Sequence, residues 1–151
     1  MKEVIDEKDR KILEILKENS SLSTHKISKN TLIPITTVNN RIKKLKKIGV
    51  IKRYTVDVDK TKLGYTLAAY VFVHVSLEEL KNNNMSIKDL MKTIRVNPLV
   101  EFAENITGDV DIIIKMRVHG IHELNDYIVN TLSYYKGVEK TKTAIVLTEH
   151  K

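Results

Sequence analysis

Apolar residues recur at helical spacing in three segments of the first fifty positions. A first helix is predicted after Asp6, which has the spacing of a capping box with Asp9. Ser23 can cap a second, shorter helix, and a third follows Pro34 and ends at Gly49. The apolar positions that these helices would bury are Ile12, Leu13 and Leu16 in the first, Ile27 in the second, and Val38, Ile42, Leu45 and Ile48 in the third.

The pattern changes after Gly49. The stretch VIKRYTVDVD alternates in polarity and contains β-branched residues, which predicts a strand. Three short helices with a tight break before the third, followed by a strand, are typical of a winged helix-turn-helix. We therefore assign residues 1–54 to a winged helix-turn-helix domain and residues 55–64 to a linker strand.

The remaining residues, 65–151, alternate strand and helix patterns in the order βαββαβ. The first strand, LAAYVFVHV, is apolar on both faces. A polar loop at 82–84 leads into a helix, two strands joined at Gly108-Asp109 follow, and a second helix precedes a last strand, KTAIVLT. This order predicts a ferredoxin-like domain, so the fold class is α+β. Two helices cover only one face of such a sheet, and we expect a homodimer to cover the other.

Charge distinguishes the two halves of the chain. The formal net charge is +7, yet residues 61–151 contain equal numbers of basic and acidic side chains. Between Asn19 and Val56 the chain has nine basic residues and no Asp or Glu. A localised basic surface of this kind is typical of a protein that binds the phosphates of a nucleic acid.

The third helix has a polar face suited to double-stranded DNA. Small polar side chains, which can contact base edges, come first, and cations that can reach the phosphate backbone follow. We expect base contacts from Thr36, Thr37, Asn39, Asn40 and Lys43. We expect phosphate contacts from Lys44, Lys47, Lys52 and Arg53.

Several other classes of protein are not expected. The chain has no cysteine, so disulfides and zinc fingers are excluded, and no apolar run is long enough to cross a bilayer. A cytoplasmic protein without a membrane partner is expected. Glycine-rich phosphate loops and nucleophile elbows are missing, so we predict neither an enzyme nor a required cofactor. His119, His122 and Glu123 have a metal-ligand spacing, but a surface or capping role is favoured over a metal site.

The ordered set of motifs resembles the Lrp/AsnC, or feast/famine, family of transcription regulators over nearly the whole chain. The resemblance rests on IDEKDRKIL, TTVNNRIKKLKKIGVIKRY, ITGDVDIIIKM and GVEKTKTAIVL. It implies a DNA-binding dimer, often assembled into tetramers or octamers, whose second domain senses amino acids. The transcription machinery is a further expected partner.

The resemblance also implies roles for particular residues. Arg41, which begins a family-like RIxxL pattern, would hold a phosphate. The effector-linked hairpin of the family corresponds to Thr107, Gly108, Asp109 and Asp111. Two departures stand out: Leu32, Ile33 and Pro34 replace the usual Gly-Leu-Ser before the recognition helix, and Lys46 replaces a frequent Glu.

Alternatives remain at two levels. The sequence ITGDVD is consistent with an amino-acid site and equally with a hairpin turn that needs Gly for its backbone and Asp for local hydrogen bonds. For the whole protein, an architectural DNA-coating protein with little sequence preference is the main alternative. A small-molecule-binding or enzymatic ferredoxin-like domain is a more distant one.

Overall fold

The computed structural model describes residues 5–149. The chain forms two compact units, residues 1–58 and residues 59–151. The division falls inside the stretch 55–64 that we expected to be a linker. Each unit has its own hydrophobic core.

The first unit contains three helices. They are α1 (Glu7–Glu18), α2 (Thr24–Thr31) and α3 (Ile35–Lys47). Asp6 and Asp9 form the predicted capping box at α1, and Ser23 caps α2 through the amide of Lys26. The side chains that fill the core between the helices are Ile12, Ile27, Ile33, Val38, Ile42 and Leu45.

The strand predicted after Gly49 is not formed. Residues 52–58 belong to no helix or sheet, because the described residues offer them no neighbouring strand for a hydrogen-bond ladder. Tyr54, Val56 and Val58 on this segment are exposed large hydrophobic residues. The prediction of a strand at 50–59 was therefore wrong for the single chain.

The second unit contains a four-stranded antiparallel sheet in the order β2-β3-β1-β4. This is the ferredoxin-like arrangement expected from the sequence. The bounds are β1 (Leu67–Val75), α4 (Leu77–Asn82), α5 (Ile87–Val96), β2 (Val100–Asn105), β3 (Ile112–Val118), α6 (Ile121–Asn130) and β4 (Val138–Ile145), with 3-10 turns at Thr61–Leu63 and Leu132–Tyr134.

The two faces of this sheet differ in burial. On one face Val71 and Val73 of β1 and Ile114 of β3 are fully buried with Leu90, Ile94 and Leu124 of the helices. On the opposite face, which we call the open face, the side chains alternate with these and are only half-buried. The open face carries Tyr70, Phe72, His74, Ile113, Lys115 and Arg117. The expectation that β1 is covered on both sides is therefore not met within one chain.

Two elements differ from the sequence-based prediction. Helix α4 occupies part of the expected polar loop; Ser76 caps it, and Leu80 anchors it in the core. Strand β4 begins and ends earlier than KTAIVLT: its ladder with β1 runs from Val138, opposite Val75, to Ile145, opposite Ala69, and the amide of Val146 donates one further bond to the carbonyl of Ala68 at 2.9 Å. Leu147 consequently lies outside the sheet and is 94% exposed.

Among residues 5–149, no helix is both long and apolar enough to cross a lipid bilayer.

Candidate nucleic-acid interface

One face of α3 forms a continuous exposed ridge. Thr36, Asn40, Lys43 and Lys47 are all exposed, and their spacing of four, three and four residues places them in a row along the helix. We call these four residues the α3 ridge. The order along it is hydroxyl, amide, ammonium, ammonium, so groups that can pair with base edges precede the cations.

The other expected contacts on α3 lie beside this ridge. Thr37 and Asn39 are half-buried on opposite flanks, and Lys44 is 37% exposed with its ammonium 3.8 Å from a carboxylate oxygen of Asp9. The expected DNA contacts on α3 thus fall into an exposed group, the α3 ridge, and a half-buried group, Thr37, Asn39 and Lys44. Asn40 is the more accessible of the two asparagines.

The turn that precedes α3 is fixed by hydroxyl groups. Leu32 adopts a left-handed conformation with φ of 58°, a region that favours glycine, and its side chain is 91% exposed. The hydroxyl of Ser28 donates to the carbonyl of Ile33 at 2.6 Å, and that of Thr31 donates to the carbonyl of Ile27 at 2.8 Å. Pro34 provides no side-chain cap, so the first-turn amides of α3 depend on other acceptors.

Arg41 lies on the inner side of α3 and contacts α1. Its Nη1 is 2.7 and 2.6 Å from the two carboxylate oxygens of Asp6 and donates to Oδ1 of Asp9 at 2.8 Å. Asp9 is completely buried, whereas the Arg41 side chain is 22% exposed. We call Asp6, Asp9 and Arg41 the α1–α3 clamp. It joins the helix that carries the ridge to the first helix of the unit.

The clamp shifts the pKa of Asp6 and that of Arg41. The backbone amide of Asp9 and then the guanidinium of Arg41 lower the pKa of Asp6, because both stabilise its charged form. Hydrogen bonds to Asp6 and then Asp9 raise the pKa of Arg41. Arg41 thus forms an internal ion pair with two carboxylates, and its expected phosphate contact stays a prediction.

The clamp was not foreseen, although the sequence contained a signal for it. Asp9 shares its helical face with the apolar Ile12, Leu13 and Leu16, and a carboxylate on a buried face needs a cationic partner. The pattern shows that a partner is required. It does not show that the partner is Arg41, which is 32 residues away.

The segment after α3 presents further cations. Lys52 and Arg53 are exposed, as expected for phosphate contacts. The ammonium of Lys46 lies 4.5 Å from the centre of the Tyr54 ring, a cation–π contact that holds this segment against α3. Lys46 therefore has a structural contact in addition to its charge.

The hairpin between β2 and β3 contains the four expected effector residues. Thr107, Gly108 and Asp109 are exposed, and Gly108 has a φ of 129°, where a side chain would be strained. The side chain of Asp111 accepts a hydrogen bond from the amide of Val75 at 2.8 Å, which joins the hairpin to the end of β1. Three of the residues therefore form an accessible turn, and the fourth anchors it.

The histidines near α6 do not form a metal site. Within the described part of the chain, no group of three or more metal-ligating side chains is assembled. Glu123 instead accepts from the amide of His119 at 2.7 Å and lies 2.9 Å from its Nδ1. These contacts lower the pKa of Glu123, with the amide of His119 as the main cause.

Two family models match the chain in the order of its units. A winged helix-turn-helix DNA-binding model matches residues 5–52. A model of the Lrp/AsnC ligand binding domain matches residues 70–151. The DNA-binding match includes the clamp and the ridge, and the ligand-binding match includes the hairpin.

Known proteins agree with this assignment. The HTH-type transcriptional regulator FL11 of Pyrococcus furiosus is 34% identical over 151 residues, covering 100% of this chain and 95% of the relative. The structure of AsnC from E. coli aligns with a TM-score of 0.84 and 25% identity, covering 97% and 94% of the two chains. A regulator from Neisseria meningitidis in complex with L-Met aligns with a TM-score of 0.89 at 22% identity, covering 98% and 93%. The chain belongs to the Lrp/AsnC family of DNA-binding transcription regulators, which are not enzymes.

Proposed function

We propose that the protein reads specific sequences in double-stranded DNA through the α3 ridge. The observation that carries this proposal is the exposed row Thr36, Asn40, Lys43 and Lys47 on a helix held in place by the α1–α3 clamp. An asparagine amide can pair with adenine through two hydrogen bonds, and the cations beyond it can reach phosphates. Lys52 and Arg53, together with the recessed Lys44, add further positive charge.

The DNA-binding species is proposed to be a homodimer. The half-buried aromatic and ion-paired side chains of the open face require a cover, which a second copy supplies through an isologous contact. Two recognition helices would then enter major grooves about 10 base pairs or a multiple apart. Further assembly to a tetramer or octamer is consistent with the family.

The unpaired segment 52–58 supports the same assembly. If it pairs antiparallel with its own copy around Thr55, Arg53 lies opposite Asp57 and Tyr54 lies opposite Val56. Opposite charges and apolar side chains then meet across the pair. The strand predicted from the sequence would form only in the dimer.

An amino-acid effector is proposed to bind at the β2–β3 hairpin. The exposed Gly108 leaves the backbone accessible, since nothing lies within 4 Å of the position that a side chain would occupy. Asp109 could hold the ammonium group of an amino acid. The L-Met complex of the Neisseria regulator supports this class of ligand.

We base the proposed cellular location and a further partner on the role of the protein as a DNA-binding regulator. A regulator of this type acts where chromosomal DNA is accessible, so we propose the cytoplasm. The transcription machinery is proposed as a further partner, reached when the protein is bound to a promoter.

Selection from a randomised double-stranded DNA pool at two salt concentrations tests the main proposal. We expect an enriched, partly palindromic motif, with half-sites spaced by a whole number of helical turns. Salt-sensitive binding without an enriched motif would instead favour the architectural protein that coats DNA. Adding amino acids one at a time to the selected complex then tests the effector, with Asp109→Asn as the matched variant.

A further inference from the structure

Helix α5 in the second unit presents a basic ridge that is not part of the recognition helix. Lys88, Lys92 and Arg95 are exposed and lie at positions i, i+4 and i+7, so they form one row. The row spans about 10 Å along the helix at 1.5 Å per residue. We call these three residues the α5 ridge.

The α5 ridge borders an open groove of ≈ 840 Å³. Ile87 and Met91 are half-buried in the groove, and Asn105 of β2 lies on its far side. All ionisable residues that line the groove are cationic. The aliphatic parts of long basic side chains can lie along such an apolar floor while their charged ends project outward.

The neighbouring carboxylates do not face into this groove. Phe102 and Glu104 pair with Lys115 and Ile113 of β3, which places Glu104 on the open face, opposite the helices. Glu101 is on that face too, where it binds Arg117 at 2.9 Å. The acids of β2 are therefore separated from the α5 ridge by the sheet.

The acidic residue of α5 itself is engaged at the start of the helix. Asp89 accepts from the amide and hydroxyl of Ser86 and from the ammonium of Lys92 at 2.9 Å. These contacts, led by the Ser86 hydroxyl, lower its pKa to about 2. Its charge offsets part of the charge of Lys92, while Lys88 and Arg95 have no ion-pair partner among residues 5–149.

We propose that the α5 ridge is a second DNA-binding surface, which holds the phosphate backbone of DNA that flanks the recognised site. Each of the three cations in the row can contact a phosphate of the DNA backbone. The contact is sequence-independent, because the groove offers cations and aliphatic floor but few groups that could read base edges.

Binding through the first unit makes this second contact effective. Once α3 holds its site, the flanking DNA is present at a high effective concentration, so three weak phosphate contacts suffice. The same surface on each copy of an oligomer would guide longer DNA around the protein. The contact is independent of the identity of the sequence that α3 reads.

The test compares DNA of two lengths and two triple variants of the full-length protein. One fragment just covers the selected site, and the other extends it by several helical turns on each side. The groove variant is Lys88→Gln, Lys92→Gln and Arg95→Gln. The control, Lys62→Gln, Lys81→Gln and Lys136→Gln, removes the same total charge from exposed positions elsewhere in the second unit.

We expect the groove variant to bind the short fragment like the wild type, which also shows that it is folded. On the long fragment, the slope of log affinity against log salt should become shallower by about 0.9 for each phosphate that the variant no longer neutralises. Equal weakening in the control would overturn the proposal, because net charge alone would then explain it. The proposal would also be overturned if the groove variant bound the long fragment with the same affinity and salt dependence as the wild type. If that variant also changed its oligomeric state, the groove would be an interface between copies.

Discussion

Each unit of the protein contains an arginine held between two carboxylates. In the first unit Arg41 lies between Asp6 and Asp9, with contacts of 2.6 and 2.8 Å. In the second, Arg117 lies between Glu101 and Glu149, with contacts of 2.9 and 2.6 Å. The chemical groups and the distances are nearly the same.

The surroundings of these two arginines differ. The α1–α3 clamp joins two helices of one core and includes a carboxylate with no exposed surface, so loss of Arg41 would leave the buried Asp9 with only the ammonium of Lys44, 3.8 Å away. The Arg117 pairs lie on the open face, where both carboxylates remain partly in contact with solvent and Lys115 supplies a second cation. Burial, more than distance, therefore determines how strongly each unit depends on its arginine.

Substitution of Asp9 has the largest expected effect. Asp9→Ala breaks the buried ion pair with Arg41 and removes the carboxylate that accepts from the amide of Asp6 in the capping box, so we expect the first unit to lose about 3 kcal/mol of unfolding free energy. Glu149→Ala, the matched change on the open face, should cost less, because solvent screens this pair and Arg117 keeps Glu101 as a partner. Denaturant unfolding of both variants measures the difference. Equal losses would contradict the role that we assign to burial.

Substitution of Asn40 comes next in size. Asn40→Ala should reduce discrimination at one base pair of the selected site by about 1–3 kcal/mol, because the side chain can no longer pair with adenine through two hydrogen bonds. Asn39→Ala should have a smaller effect, since Asn39 is recessed on the flank of the helix. Selection from a DNA pool that is randomised around the preferred site compares the two. If Asn39 proves the more important residue, the α3 ridge is not the base-reading face.

The elements that the sequence predicted well are those governed by local chemistry. The capping box of Asp6 and Asp9 and the periodic apolar positions of α1 and α3 depend on residues within a few positions of one another. The order of helices and strands in the second unit follows from the same kind of signal. Fold class was therefore accessible from periodicity and turn residues alone.

The features that were missed depend on distant partners. The segment 52–58 has strand propensity but pairs with no strand among the described residues, and the bounds of β4 depend on its pairing with β1. Helix α4 has only six residues, too few for a periodic pattern, although Ser76 and Glu79 gave a capping signal. The family resemblance assigned Arg41 to a phosphate, and its local sequence does not reveal the ion pair with Asp9. The sequence shows that a side chain such as the buried Asp9 requires a cationic partner, and only the fold shows which residue supplies it.

The salt dependence of DNA binding distinguishes Arg41 from the residues that we propose as phosphate contacts. Lys47→Gln should make the slope of log affinity against log salt shallower by about 0.9, because one phosphate is no longer neutralised. Arg41→Gln should lower thermal stability and affinity but leave this slope unchanged, since its guanidinium binds Asp6 and Asp9. Titrations of both variants at several salt concentrations test this. A shallower slope for Arg41→Gln would restore the phosphate contact that the sequence suggested.

Acid should weaken the open-face pairs gradually. Hydrogen bonds from Arg117 and then Lys115 lower the pKa of Glu149 to about 2, below its usual 4.5. A lowered folded-state pKa contributes stability that is present above pH 4.5 and is lost as the pH falls toward 2. Unfolding of Glu149→Gln and wild type across this range measures the contribution. We expect the difference between them to shrink with falling pH, and a constant difference would show that the charge of Glu149 is unimportant.

The smallest expected effect concerns the backbone, and it again compares the two units. Leu32 in the first unit and Asn84 in the second are the non-glycine residues with positive φ, at 58° and 53°, among those described. The left-handed region is strained for leucine, whereas asparagine adopts it readily. Because Leu32 is almost fully exposed, Leu32→Gly should relieve this strain with little loss of packing and stabilise the first unit by about 0.5 kcal/mol. Asn84→Gly should be neutral or slightly destabilising, because glycine gains more freedom in the unfolded chain. If Leu32→Gly destabilises instead, the greater freedom of glycine in the unfolded chain outweighs the strain that the substitution relieves.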